Sequence, residues 1–209
     1  MSDFESMAMD AAQDDYMVSL YEEHKGMAIE EFRAERLQSY FRSHPDAGKG
    51  VLSVLNEARS LLPDHPAAAL VFAASAIELG MKLLFMKPIV AGLVHPESTA
   101  NLVAELTISH SGTDRFRDLL FAIAAEHGGV DLSSHRREGI GPSLWQEIRD
   151  LQAARNRVLH QGKAPAVGEP AQAVDVAACL IEELFPRLVD RLGLHTHRGL
   201  TVCDDYHGP

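Results

Sequence analysis

Apolar positions recur at helical spacing along nearly the whole chain, and almost nowhere at the alternation a strand requires. The pattern predicts an all-α protein. A first helix is expected from about Asp15 to Ser43, with a break near Gly26 and a disordered start over 1–12. His44-Pro45 ends it, because the residue before a proline avoids the α region. Asp46 is placed to cap a second helix reaching about Leu62. A third starts at Asp64 or His65, carries Pro66 in its first turn and runs to about Met86, short of Pro88. Further helices are expected over 97–109, 114–127, 143–161 and 170–192, punctuated by Gly128-Gly129, Gly139–Pro142 and Gly162–Gly168. Residues 193–209 read as an irregular tail.

Two of these helices break their own pattern. The third is apolar nearly all round, which marks a central helix. Only Ser75, Glu78 and Lys82 interrupt it, and their i, i+3, i+7 spacing sets them on one narrow strip. On the helix over 144–160, Leu144, Ile148, Leu151, Val158 and Leu159 form one stripe, and Arg155 falls in the middle of it. An arginine among leucines needs an anion or a polar cleft. The economical pairing sets Glu78 against Arg155. Lys82, at i, i+4 from Glu78, is the local competitor, and one carboxylate can serve both.

Composition narrows the class. The 209 residues suit one domain with a tail, and 46% hydrophobic content is enough for a sizeable core. Two cysteines, Cys179 and Cys203, make no disulfide framework, so a reducing cytoplasm is the expected location. The acidic N-terminus does not resemble a signal peptide. The most apolar run, Ala67 to Phe85, holds Ser75, Glu78 and Lys82, which favours a buried helix over a membrane span. A net charge of −11 argues against nucleic-acid binding over the whole surface, but the charge is uneven. Residues 1–47 carry −7, whereas 136–163 carry +3.

Several familiar sites are absent. Gly48-Lys49-Gly50 lacks the remaining P-loop residues, and there is no Gly-x-Ser-x-Gly elbow, His-Glu-x-x-His or Cys-x-x-Cys. The tail holds metal-ligand types, His195, His197, Cys203, Asp204, Asp205 and His207, at a spacing that matches no zinc module. The run Arg155-Asn156-Arg157-Val158-Leu159-His160 has a more coherent use. Arginine is a fixed planar fork for phosphate. Histidine takes or gives a proton near neutral pH. Asn156, four residues before His160, can orient the imidazole or a phosphate oxygen. Gly162 is expected to leave the helix end open. The plainer reading has His160 serving only the helix terminus and Arg155 snorkelling from it.

The order of these features resembles the HEPN (higher-eukaryote and prokaryote nucleotide-binding) superfamily. The likeness rests on a long apolar helix with an internal Glu, a helix ending in Arg-Asn-x-x-x-His-Gly, and one long closing helix. The central helix is Asp64-His65-Pro66-Ala67 to Glu78-Leu79-Gly80-Met81-Lys82, and the likeness covers about 46–192. Residues 1–45, an N-terminal helical extension, and the tail over 193–209 fall outside it.

The resemblance implies a HEPN-like helical bundle acting as a homodimer, with motif helices from two subunits facing across a cleft. Active members are metal-independent endoribonucleases, often toxins or antiviral effectors, with an antitoxin or regulatory protein as a further partner. It implies that Arg155 and His160 are catalytic, that Asn156 positions, and that Glu78, Ser75 and Lys82 support. Arg149, Arg157 and Lys163 would contact RNA. No cofactor, metal or membrane is implied, and products would end in 2′,3′-cyclic phosphate. On an ideal helix Arg155 and His160 stand about 140° apart, which favours a site completed between chains. Two alternatives stay open: a non-catalytic HEPN-like module binding a nucleotide or protein, and a purely structural helical protein.

Overall fold

In the computed structural model, which describes residues 3–93, 121, 125, 129 and 131–204, helix α1 spans Asp3–Ser43 without interruption. This differs from the expected disordered start and break at Gly26. One interior glycine costs about 1 kcal/mol relative to alanine, too little to part a helix. The helix still stops before His44-Pro45, as the proline requires. Among its described side chains, the anchors lie near the body: Leu37 and Phe41 are buried, and Phe41 meets Phe185 with ring centroids 5.8 Å apart.

Helix α2 (Lys49–Leu61) buries Val51, Leu55 and Ala58. Asp46 does not cap it. Gly48 holds the cap position with no side-chain bond, and the Asp46 carboxylate instead pairs with Lys49 Nζ at 2.7 Å. Helix α3 (Pro66–Gly80) is the central one and packs against α2 and the later helices. Ala69, Ala73, Ala74 and Ala76 are all buried along it, and such small side chains let neighbouring helices approach closely. Pro66–Met86 is apolar enough to cross a membrane by length and composition, yet most of it is buried inside this chain.

The expected stop before Pro88 is not obeyed. The chain passes through a π-helical turn (Met81–Met86) into α4 (Lys87–Leu93). The same device recurs later. Helix α5 (Leu144–Gln161) is followed by α6 (Glu169–Ala178), a second π-helical turn (Cys179–Leu184) and α7 (Phe185–Arg191). Each π turn ends two residues before a proline, Pro88 or Pro186. In each, the residue before the proline donates to a carbonyl five back, Lys87 to Lys82 and Phe185 to Leu180. The widened turn accommodates a ring that would otherwise clash with the carbonyl four residues earlier.

The tail is not irregular over its described part. His195–Thr196 (β1) pairs antiparallel with Val202–Cys203 (β2). Leu194, Leu200 and Val202 are buried, and the Val202 N–H donates to the Pro45 carbonyl at 2.8 Å. The tail therefore belongs to the core. Among the described residues, no group of three or more His, Cys, Asp or Glu could hold a metal. The helices expected over 97–109 and 114–127 lie outside the described residues, apart from Phe121 and Ala125. Asp205 and His207 lie outside them as well.

Candidate functional site

Helix α5 starts at a true cap: the Ser143 hydroxyl accepts the Gln146 N–H at 3.3 Å. Its inner face is Leu144, Trp145, Glu147, Ile148, Leu151 and Ala154, with Val158 half-buried. The apolar stripe leaves the core toward its C-terminal end, where Leu159 is 51% exposed. Arg155 thus sits at the margin of the core and not in its middle.

The Arg155 guanidinium is held from two sides. One nitrogen donates to Glu78 Oε2 on α3 at 3.2 Å, and the other to Asn156 Oδ1 at 3.1 Å. Lys82 Nζ donates to Glu78 Oε1 at 2.7 Å. One carboxylate on the central helix therefore receives both cations, which leaves this half-buried group a net positive charge. The pairing of Glu78 with Arg155 and with Lys82 is the one the spacing suggested. Ser75 stays out of it, since its hydroxyl donates back to the Val71 carbonyl at 2.9 Å.

A second set of side chains faces outward. Arg149, Ala153, Asn156 and His160 are all exposed, and their i, i+4, i+7, i+11 spacing makes them one ridge. Leu159 lies between that ridge and Arg155 around the helix. Gly162 does not leave the end open. It adopts the left-handed conformation at φ 62°, and its N–H returns to the Arg157 carbonyl. His160 is thereby presented on a closed, regular last turn. Arg157 is committed elsewhere: it donates to Glu169 at 2.6 Å, and Glu169 also accepts the Ala166 N–H at 2.8 Å. That pair ties α5 to the loop entering α6. Lys163 is exposed just beyond the helix end.

Within one chain, then, Arg155, Asn156, Glu78 and Lys82 are brought together, while His160 stands on the outer ridge. Two cavities lined by described residues lie elsewhere. One, of about 420 Å³, is lined by Tyr40, His44, Leu83 and Lys87 among others, and the second, of about 260 Å³, by Arg42, Pro45 and Val202 to Asp204.

One polar cluster escaped the sequence reading. Glu147 is 1% exposed and accepts from Arg137 Nε at 3.0 Å and from a terminal nitrogen of the same guanidinium at 2.7 Å. Gln172 on α6 donates to it at 3.0 Å. The signal was present, since Glu147 shares the stripe of Leu144 and Leu151. Its partners come from a loop and from another helix, where no pattern points to them.

Cys179 and His135 form the remaining pair, with Sγ 3.7 Å from Nε2. Burial pushes the Cys179 thiol up to about 11. His135 is pushed down by burial and by the charge of Arg187. Both are neutral at pH 7, so this is no thiolate nucleophile. No protein family, curated protein or solved structure matches the chain.

Proposed function

We propose that this chain is a HEPN-like endoribonuclease, acting as a homodimer whose two α5 helices bring Arg155 and His160 around one RNA phosphate. The observation that carries this reading is the ridge and its anchor. Asn156 and His160 stand exposed on one line, and the neighbouring Arg155 is fixed to the central helix through Glu78. A guanidinium held this way is preorganised, which is what charge stabilisation in a transition state requires.

The chemistry follows from the residue types. One imidazole removes the proton of a ribose 2′-OH as its oxygen attacks the adjacent phosphorus. The O2′–P bond forms and the P–O5′ bond breaks. The second subunit's imidazole supplies the proton to the departing 5′-oxygen, leaving a 2′,3′-cyclic phosphate and a 5′-hydroxyl. Arg155 stabilises the charge on the pentacovalent phosphorus.

The second reading, a non-catalytic module of the same kind that binds a nucleotide or a protein, is favoured by one feature. Two Arg155 nitrogens are already engaged, by Glu78 and Asn156. The two readings separate on incubation of single-stranded and structured RNA with the purified protein in EDTA. Catalysis requires new ends bearing cyclic phosphate and a fall of about 100-fold or more in H160A, the usual weight of a general acid or base. His160 has no side-chain partner among the described residues, so H160A should keep its wild-type melting temperature. RNA left intact by the wild type favours the binding module.

A further inference from the structure

The outer half of α1 has little packing around its described side chains. Tyr16, Met17, Val18, Tyr21, Met27 and Phe32 are all exposed, Tyr21 to 66%. Tyr16, Met17, Tyr21 and Met27, with half-buried Leu20, fall within about 140° of the helix circumference, an arc that Glu31 shares; Val18 and Phe32 lie outside it, and Asp15 and Glu22 are on the other side. A helix with an apolar stripe and no packing is marginal in water. At about 1.5 Å per residue, α1 is also about 61 Å long, long enough to reach beyond its own body.

Charge selects the occupant. Residues 3–32 hold nine acidic side chains against Lys25 alone, a net of −8. Two such arms side by side repel, so arm-on-arm pairing is disfavoured. The complementary surface is the α5 face, where Arg149 and Lys163 are exposed and in no ion pair among the described residues, and where Leu159 offers an exposed apolar patch. The arm is one rod with its body end pinned by Leu37 and Phe41, and the contacts seen among its described outer side chains, Lys25 with Glu22 and Arg36 over Phe32, stay within the helix. The face it reaches is therefore that of a second copy.

We propose that the outer half of α1 docks on the Arg149–Leu159–Lys163 face of α5 in a second copy of this chain, where it covers His160. The regulatory consequence, an acidic helix occupying the place of RNA, rests on the catalytic reading above, whereas the docking does not.

The test uses the full chain. Protein labelled with 15N is mixed with unlabelled protein, coupled with a zero-length carboxylate-to-amine cross-linker, and mapped by mass spectrometry. Docking requires Glu22 or Glu23 of one isotope joined to Lys163 of the other. Sedimentation supplies the second readout. E22K/E23K and R149E/K163E should each weaken self-association at least tenfold, and mixing the two variants should restore it. A monomeric wild type, cross-links confined to arm–arm pairs through Lys25, or association indifferent to both reversals overturns the proposal. Neither readout involves RNA. Absent cleavage leaves the docking standing, and absent docking leaves catalysis to be decided by R155A and H160A.

Discussion

Glu147 shows what a single buried charge does in this protein. Burial lifts its carboxyl, but hydrogen bonds from Arg137 and Gln172, with the Arg137 charge, outweigh that and hold it below its usual 4.5. A carboxyl with a lowered native value adds stability that is complete above the unfolded value and drains as pH falls, because the unfolded chain takes up its proton first. Asp131, held at about 2 by Ser133 and Ser134, loses its contribution in a window that overlaps. The diagnostic is thus a difference: urea midpoints between pH 7 and pH 3 should fall more steeply for wild type than for E147Q. R137A leaves the carboxylate buried without its cation, with neutral Gln172 still donating to it, and about 3–5 kcal/mol of destabilisation is expected in the same measurement. By contrast the Glu78–Lys82–Arg155 group, at the margin of the core, trades part of its attraction for hydration. Arg155 betrayed itself in the sequence because a cation among leucines demands an anion, and the central helix offered only Glu78. Glu147 carried the same mark, but no periodicity ties a loop arginine to a helix.

At the scale of elements, the ends and joints decide more than the interiors. Gly162 closes α5 at positive φ, with nothing within 4 Å of an added Cβ. G162A is therefore expected to cost about 1 kcal/mol through backbone strain alone, read as a fall in melting temperature. Gly48 has the opposite problem. Its φ is ordinary, but an added Cβ would stand 2.6 Å from Leu200 Cβ and 2.9 Å from the Leu200 carbonyl. G48A must push the terminal hairpin away from α2, at about 1–3 kcal/mol. Hydrogen exchange should show the loss first at the Val202 amide, whose bond to Pro45 joins the hairpin to the α1–α2 turn. The π-helical turns before Pro88 and Pro186 belong to the same account. A proline ends an α-helix only if the chain has nowhere to put the displaced carbonyl, and a buried, strongly apolar continuation makes the widened turn the cheaper solution.

For the whole molecule, the governing quantity is an uneven charge on an acidic protein. With a net charge of −11, the RNA binding proposed above is expected only locally, through Arg149, Arg155 and Lys163. Three such cations neutralise about three phosphates. The logarithm of the affinity for single-stranded RNA should then fall against the logarithm of salt concentration with a slope of about −2, read by fluorescence anisotropy. A much steeper slope would mean that RNA finds cations outside this face. On the docking proposed above, the same imbalance sets the acidic arm of one copy against α5 of another, so RNA and that arm would compete for one surface.

Helical periodicity was enough to place most of the described helices, the centrality of α3 and the pairing of Glu78 with Arg155, because each depends on residues a few positions apart or on a burial cost without a local remedy. Other features depended on which segments meet in space. The Arg137–Glu147–Gln172 cluster, the terminal hairpin, the passage of two helices through prolines and the exposure of Leu159 are of this kind. In each, distant neighbours alter the cost of a local choice: they bury a charge beside its partner, cover a tail, or leave one end of an apolar stripe uncovered.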